Sequence, residues 1–335
     1  MSFKNILFKT LAFFHLPVWL RSRKAGQHIV TVLSLHRINP EKDACWQSVS
    51  PQNFEKLLQY VSKYYEVCFF CDISNLIIKK NTRPLLVLSF DDGYADFMEY
   101  ALPLLQKYEL KANHNLVYNC LEYQQTIWTQ HFNQIFNHLY QQKTATIIEW
   151  NAKNYPLSDY KNWYRIYQQV FAAAMQTPAY ERGEQVNWLL KQFKLVPLQE
   201  KMMSWQDAKS CLATGWVEIG SHTLSHDILP TVDNPEKLQA EIMQSKALLI
   251  QNLGVEINIL ALPNGQNNPQ IIKYAQEAGY NFLLETGDKN YKWENQPDEK
   301  LKIVPRINVE NEDEKQIPLR VENVRGKIRS FFAKK

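Results

Sequence analysis

The chain has 335 residues, of which 45% are hydrophobic and 21% charged, and its mean hydropathy is −0.40. This composition is typical of a soluble globular protein, and it excludes a disordered chain and a multispanning membrane protein. The formal net charge of +4 divides into +5 over residues 1–26, +5 over residues 320–335 and −6 over the rest. Because nucleic-acid binding requires a basic face, we expect no nucleic-acid partner.

The two ends of the chain share one character. Residues 1–26 form a predicted basic amphipathic segment, and residues 309–335 form a basic tail with a similar helical pattern. Each end either packs on the domain with its basic groups in solvent or contacts an anionic membrane surface. Lys9 and Pro17 interrupt the first apolar run and no small-residue cleavage site follows it, so a secretory signal is not expected.

Cysteine usage bears on the compartment. The five cysteines are an odd set without the spacing of a disulfide framework. Such usage is typical of a reducing compartment. Together with the lack of an expected secretory signal, it predicts a cytoplasmic protein, including one held peripherally at the inner face of the membrane.

Residues 27–308 alternate short strand-like runs with helical patterns, which predicts an α/β architecture. Eight strand candidates favour a barrel. They lie at 28–36, 66–71, 85–90, 112–118, 216–221, 257–262, 280–285 and 301–307. The helical patterns between them lie at 51–64, 95–108, 235–252 and 268–278.

The alternation breaks at about residues 122–210. This stretch is rich in Trp, Tyr, Gln and Asn, and it has helical patterns at 127–141, 159–175 and 180–194 without a convincing strand. We interpret it as a helical insertion into the barrel. Its tryptophans pack in the insertion's own core, line a sugar-binding cleft or form an oligomer contact.

Two motifs with metal and acid–base chemistry follow predicted strands. Asp91 and Asp92 come directly after the run that ends at Phe90, and His222 and His226 come directly after the run that ends at Ser221. Barrels keep their catalytic groups at the carboxyl ends of the strands. Two imidazoles and one carboxylate are sufficient for a three-ligand metal site that stays open to water and substrate.

Two further candidates lie at later strand ends. Asn264 stands in a Pro-Asn-Gly turn, whose backbone N–H groups can point at a developing oxyanion. Arg306 lies near the end of the last strand, where its guanidinium either orients a carboxylate or makes a structural ion pair.

In combination and in order, these motifs resemble those of the polysaccharide deacetylase, or NodB-homology, family of carbohydrate esterases. The resemblance rests on SFDDG at residues 89–93 and HTLSH at residues 222–226, and it covers roughly residues 28–120 and 205–308. It implies a distorted (β/α) barrel of seven or eight strands, interrupted by the helical insertion. It also implies an enzyme that removes N-acetyl groups, or less often O-acetyl groups, from glycans.

The resemblance assigns roles to the matching residues. Asp91 corresponds to the general base, and Asp92, His222 and His226 correspond to the ligands of a divalent metal, usually zinc. The backbone N–H of Asn264 corresponds to an oxyanion donor. These roles agree with the chemistry of metal-assisted hydrolysis, in which a carboxylate free of the metal accepts a proton from the attacking water.

The chain also departs from the family pattern. Family members often carry Arg-x-Pro-Tyr where this chain has ALPN at residues 261–264, so the arginine that tethers the catalytic aspartate is missing there, and Arg306 is its candidate substitute. No histidine follows His226, so the usual late general acid is absent. His36, at the carboxyl end of the first predicted strand, is the candidate for that role.

The predicted function is therefore metal-dependent removal of acetyl groups, N-acetyl rather than O-acetyl, from a glycan. By resemblance the substrate is a bacterial surface polysaccharide or a lipid-linked precursor on the cytoplasmic side. Two alternatives remain: hydrolysis of another non-peptide C–N bond in a small molecule, and a non-catalytic glycan-binding module.

Overall fold

Seven parallel strands form the centre of the molecule. The computed structural model describes residues 16–24, 27–41, 43–78, 83–293, 300–324 and 326. The strands of the main sheet are β1 (Ile29–Leu35), β2 (Glu66–Val67), β3 (Leu85–Phe90), β4 (Ala112–Leu116), β7 (Val217–Ser221), β8 (Ile259–Ala261), β9 (Phe282–Thr286), β10 (Tyr291–Lys292) and β11 (Lys302–Asn308), and β5 (Thr146–Trp150) pairs with β6 (Lys153–Leu157).

The sheet closes on itself. Its order is β1–β11–β9–β8–β7–β4–β3, and β3 pairs in parallel with β1 from Val30↔Leu85 to Leu35↔Phe90. β2 adds to β3 outside the ring, and β10 runs antiparallel beside β1. The predicted α/β barrel is thus confirmed with seven strands, and the eighth candidate is peripheral.

On β1 and β3, the residues that face the inside of the barrel change from apolar to polar along the strand. Val30 and Val32 of β1 belong to an apolar cluster that fills the lower part of the barrel, whereas Ser34 and His36 face the cavity above it. Because inward-facing residues occur at every second position of a strand, this change from apolar to polar side chains can be seen in the sequence. It places a low-dielectric floor beneath the polar end.

Helices surround the barrel, and three of them, α6, α7 and α8, belong to the segment between β4 and β7. In the described ranges they are α1 (Leu16–Ser22), α2 (Pro51–Tyr64), α3 (Ile73–Ile78), α4 (Leu102–Lys107), α5 (Tyr118–Tyr123), α6 (Trp128–Gln142), α7 (Trp163–Ala174), α8 (Ala179–Gln192), α9 (Trp205–Ala213), α10 (Pro235–Leu253), α11 (Pro269–Glu277) and α12 (Ile317–Val321). Within these ranges, none is both long and apolar enough to cross a bilayer. Ser50 caps α2 by accepting the N–H of Asn53, and Pro51 occupies its first turn, as the sequence predicts.

Two sequence predictions about local structure were wrong in part. The strand expected at 66–71 ends at Val67, because the Asp72 carboxylate accepts the N–H of Phe69 and starts a 3₁₀ turn. The helix expected at 95–108 begins instead with a π-helical turn, Phe97–Ala101. Pro103 lies in the first turn of the helix that follows, and it has no N–H to donate within a regular helix.

The segment between β4 and β7 has a core of its own. Helices α6, α7 and α8 pack around aromatic side chains, among which Trp150 and Trp163 are buried. The expectation that this segment has no strand was wrong, since β5 and β6 form an antiparallel hairpin. Its turn residues Asn151 and Ala152 have φ of 50° and 57°, although neither is glycine.

The two ends of the described chain meet beside the barrel. Leu20 of α1 packs with Leu319 and Val324, and the Lys24 ammonium lies 3.0 Å from the Glu322 carboxylate in a buried ion pair. Lys24 also donates to Thr31 near the start of β1. The predicted helical patterns over residues 1–15 and from residue 327 onward lie outside the described residues.

The floor of the barrel contains one carboxyl group whose ionisation opposes folding. Glu218 on β7 accepts the N–H of Phe70 at 2.7 Å, and burial raises its pKa to about 7. Its pKa in the folded state therefore exceeds the unfolded value of 4.5, so this group lowers stability as pH rises between those values.

The isosteric change Glu218→Gln keeps the acceptor for Phe70 and removes the charge. We expect the variant to gain on the order of 2 kcal/mol at pH 8, allowing for partial exposure, and to gain little at pH 4. Urea unfolding at the two pH values measures the difference. An equal effect at both pH values would contradict this assignment.

Candidate active site

Asp91 occupies the centre of the polar end of the barrel. It follows β3 and is 1% exposed. Its Oδ1 accepts hydrogen bonds from Arg306 and from the Asn115 amide, each at 2.8 Å. Arg306, on β11, also donates to Ser89 at 3.2 Å. The arginine expected to orient a carboxylate from the last strand thus lies against Asp91.

The charge state of Asp91 follows from these contacts. Burial by itself would raise its pKa, but Arg306, His222 and His36 lower it to about 2. The carboxylate is therefore ionised at neutral pH. A buried, ionised carboxylate that is held by two donors is able to accept a proton without first moving.

Asp92, His222 and His226 converge on one point. Their ligand atoms all lie within 4.8 Å of one another. Oδ1 of Asp92 is 3.4 Å from Nε2 of His222 and 3.3 Å from Nε2 of His226, longer than strong hydrogen bonds. Among the described residues, the buried Oδ1 of Asp92 and Nδ1 of His226 have no hydrogen-bond partner. One carboxylate and two imidazoles in this arrangement fit a divalent transition metal.

Neighbouring groups orient the two imidazoles. Nδ1 of His222 lies 2.8 Å from the Ala261 carbonyl, which accepts its proton and leaves Nε2 with the lone pair. Glu241, a buried residue of α10, accepts the N–H groups of Leu224 and Ser225, each at 3.0 Å. Glu241 therefore fixes the loop that carries His226.

His36 stands at the rim of the same site. Its Nε2 is 3.9 Å from Oδ2 of Asp91, and its ring meets the edge of Trp46 with centroids 5.0 Å apart. Burial lowers the pKa of His36, although Asp92 and Asp91 act in the opposite direction. The imidazole is close enough to reach a group that reacts beside Asp91.

Several positions around the site have left-handed backbone. Asp92, Thr223, His226 and Asn264 have φ of 79°, 69°, 62° and 59°. Residues other than glycine adopt this conformation at a cost, and such strain concentrates at functional sites. The Asn264 turn also passes very close to Thr286, since a Cβ on Gly265 would lie 2.2 Å from the Thr286 nitrogen.

A cavity of about 370 Å³ joins these groups. All seven residues singled out from the sequence line it: His36, Asp91, Asp92, His222, His226, Asn264 and Arg306. A second part of the lining, the aromatic wall, comes from the loop after β1, through Trp46, and from the segment between β4 and β7, through Trp128, Tyr167, Phe171 and Met175. The candidate catalytic groups and the aromatic wall thus share one cavity.

Sequence reasoning missed three groups that support the site. Asn115 is one of two inward amides on β4, and it fits because a Cβ on Gly220 would lie 2.1 Å from its Oδ1. Asparagines at the alternate positions 113 and 115 of a strand between apolar ends were the available signal for it. Glu241 and Trp46 left no comparable signal, because only the tertiary fold brings them to the site.

A family model for polysaccharide deacetylases matches residues 78–283, more than half of the chain. The chain belongs to the polysaccharide deacetylase family. It is accordingly a carbohydrate deacetylase, a hydrolase whose substrate class is acetylated glycans. The family resemblance read from the two motifs is confirmed. No curated protein sequence matches the chain significantly.

Solved structures of deacetylases share the fold. PplD of Streptococcus pyogenes, solved in complex with acetate, has a TM-score of 0.57 at 16% identity over 88% of this chain and 98% of its own. A polysaccharide deacetylase of Bacillus cereus has a TM-score of 0.56 at 17% identity, over 88% of this chain and 69% of its own. IcaB of Ammonifex degensii has a TM-score of 0.55 at 15% identity, over 88% of this chain and 97% of its own.

Proposed function

We propose that this deacetylase is metal-dependent and removes N-acetyl groups from a bacterial surface glycan or its lipid-linked precursor. The convergence of Asp92, His222 and His226 beside an ionised Asp91 carries the proposal. When bound by these three ligands, a divalent metal such as zinc would polarise the acetyl carbonyl and make water more acidic.

The chain's own residues supply the remaining steps of hydrolysis. Asp91 accepts a proton from the attacking water as the new C–O bond forms. The N–H of Asn264 stabilises negative charge on the carbonyl oxygen. His36 donates a proton to the nitrogen as the C–N bond breaks, which releases acetate and a free amine.

The test is acetate release from N-acetylated and O-acetylated glycans by zinc-loaded and by chelated protein. We expect release only from the loaded protein, with the N-acetylated glycans preferred. Measured metal content should fall together with activity in Asp92→Asn. Equal release by chelated protein that contains no metal would refute metal dependence.

His36 is tested by the pH dependence of kcat/KM. If it is the general acid, the wild-type profile falls on the alkaline side of the lowered pKa of His36, and His36→Gln loses that limb, with kcat lowered by about a hundredfold or more. His138→Gln is the control, because His138 lies outside the cavity. An unchanged alkaline limb in His36→Gln would remove the acid role from this residue.

We also propose that the protein works in the cytoplasm at the inner face of the membrane, on an anionic lipid surface. In α1, Val18 and Trp19 are 49% and 53% exposed, and Arg23 is exposed beside them. A tryptophan flanked by basic groups suits the lipid headgroup region. Lys24 and Arg320 do not contribute, because both are buried in ion pairs.

Sedimentation with vesicles that contain anionic lipid tests this placement. We expect Lys9→Glu/Arg23→Glu to lose most of the binding of the full-length protein. Lys191→Glu/Lys194→Glu, an equal charge change on exposed residues in the last turn of α8 and just after it, should keep it. Equal binding by both variants would sink the proposal, and so would binding to neutral vesicles as strong as to anionic ones.

A further inference from the structure

The aromatic wall differs from the rest of the site in where it comes from. Its members lie on α6, on α7 and just after it, and on the loop after β1, rather than on the strands that carry the catalytic groups. Trp128 and Phe171 stack with centroids 5.8 Å apart, and Phe171 stacks on Tyr167 at 5.7 Å. The segment between β4 and β7 therefore places a continuous aromatic surface in the cavity that Asp91 and Asp92 also line.

Trp128 is held in place before any substrate binds. The Arg182 guanidinium, 1% exposed, lies 4.6 Å from the Trp128 ring centroid. Arg182 also donates to the Thr177 carbonyl at 3.2 Å and to Asp227 at 3.4 Å, next to the metal-ligand candidate His226. The wall is thus tied to the loop that carries His226.

One polar group of the wall has no protein partner. Among the described residues, the indole N–H of Trp128 is buried without a hydrogen-bond acceptor. A buried donor of this kind costs free energy unless a ligand or water accepts from it. Sugar hydroxyl groups are suitable acceptors, and the apolar faces of sugar rings pack against aromatic rings.

The size of the cavity limits what enters. At about 370 Å³, it is near the lower end of the range of roughly 300–1,000 Å³ for small-molecule sites. That space suits one sugar residue with its acetamido group directed at Asp92. Because aromatic side chains line part of this cavity, we take that part to be closed to a glycan that would cross the site.

From this arrangement we propose that the segment between β4 and β7 makes the catalytic end a pocket for one terminal sugar, with Trp128 as the main specificity-determining residue. The enzyme then deacetylates the end of a glycan and leaves internal residues acetylated. This inference rests on the proposed deacetylase activity and specifies the part of the substrate on which it acts.

The first experiment maps the position of deacetylation. Zinc-loaded protein is incubated with N-acetylglucosamine oligomers of two to six units, and the products are sequenced by mass spectrometry. We expect one acetate per chain at every length, always from the same end. Release from internal positions in the longer oligomers would overturn the proposal.

The second experiment measures the role of the wall. Hydrolysis of 4-nitrophenyl acetate, which needs the catalytic groups but little of the pocket, serves as the reference for each variant. We expect Trp128→Ala to raise KM for the oligomers about tenfold. The ratio of kcat/KM for the oligomers to kcat/KM for the ester should fall by the same factor. Trp188→Ala is the matched control, since Trp188 lies on α8, is 46% exposed and is outside the cavity.

A filling variant covers the case in which Trp128→Ala does not fold. Thr129→Trp adds bulk to the same wall without removing a core side chain, and we expect it to block oligomers while ester hydrolysis continues. If Trp128→Ala and Trp188→Ala give the same ratio of oligomer kcat/KM to ester kcat/KM, Trp128 does not determine specificity. If the wild type releases acetate from neither oligomers nor ester, the proposed function itself fails, and the proposed pocket falls with it.

Discussion

Substitution of Asp91 by asparagine is expected to reduce kcat for acetate release by about a hundredfold to ten-thousandfold, the usual contribution of a general base. The amide keeps the size of the side chain but cannot accept the proton of the attacking water. Asp91 does not belong to the converging ligand trio, so metal content should stay at the wild-type level. Acetate release and metal analysis on the same sample provide kcat and the metal content.

The neighbouring aspartate supplies the comparison for this prediction. Asp92→Asn should lose both metal and activity, whereas Asp91→Asn should lose activity alone. If Asp91→Asn loses the metal, or if it keeps more than about a tenth of the wild-type kcat, Asp91 does not act as the base. Asp91 would then be a candidate metal ligand and Asp92 the candidate general base.

Arg306→Met is expected to have the second large effect, on both stability and pH dependence. Arg306 and Asp91 are each 2% exposed as side chains, and their pair measures 2.8 Å. Removing one partner of such a pair leaves a buried charge and typically costs about 3–5 kcal/mol. Denaturant unfolding of the metal-free protein measures this loss.

The pH dependence of the same variant has a defined sign. Burial raises the pKa of Asp91 and Arg306 is the largest opposing influence, so its removal raises the pKa from about 2. Asp91 is then protonated at a higher pH, and the acidic limb of kcat/KM moves upward. Arg306→Lys keeps the charge and should show a smaller shift. An unmoved acidic limb in Arg306→Met would show that Arg306 does not set the ionisation of Asp91.

Capping residues, prolines and the spacing of apolar residues predicted the helices and strands that depend on interactions between neighbours in the sequence. Helix α2 begins and ends where its capping serine, its proline and its apolar spacing predict, and β3 coincides with its apolar run. Strand ends then placed the candidate residues at one end of the barrel. The roles proposed for these residues came from the family motifs, because spacing alone was also consistent with structural roles for the histidines and for Arg306.

Other features depend on which segments meet, and the sequence carries little signal for that. The hairpin of β5 and β6 turns at Asn151 and Ala152 without the glycine that usually marks such a turn. The contact of Arg306 with Asp91 joins residues 215 positions apart. Between β4 and β7, Trp150 and Trp163 are buried in a core, Trp128 lines the cavity and Trp188 is exposed, and composition cannot tell these places apart.

Burial makes two charged parts of the protein respond differently to ionic strength. The Arg306–Asp91 pair is enclosed above the apolar floor of the barrel, where dissolved ions cannot approach closely enough to screen it. Arg23, in contrast, is exposed, so the attraction that we propose between it and an anionic lipid surface would weaken as salt is added. A salt titration should therefore release the protein from vesicles at concentrations that leave the pH profile of deacetylation unchanged.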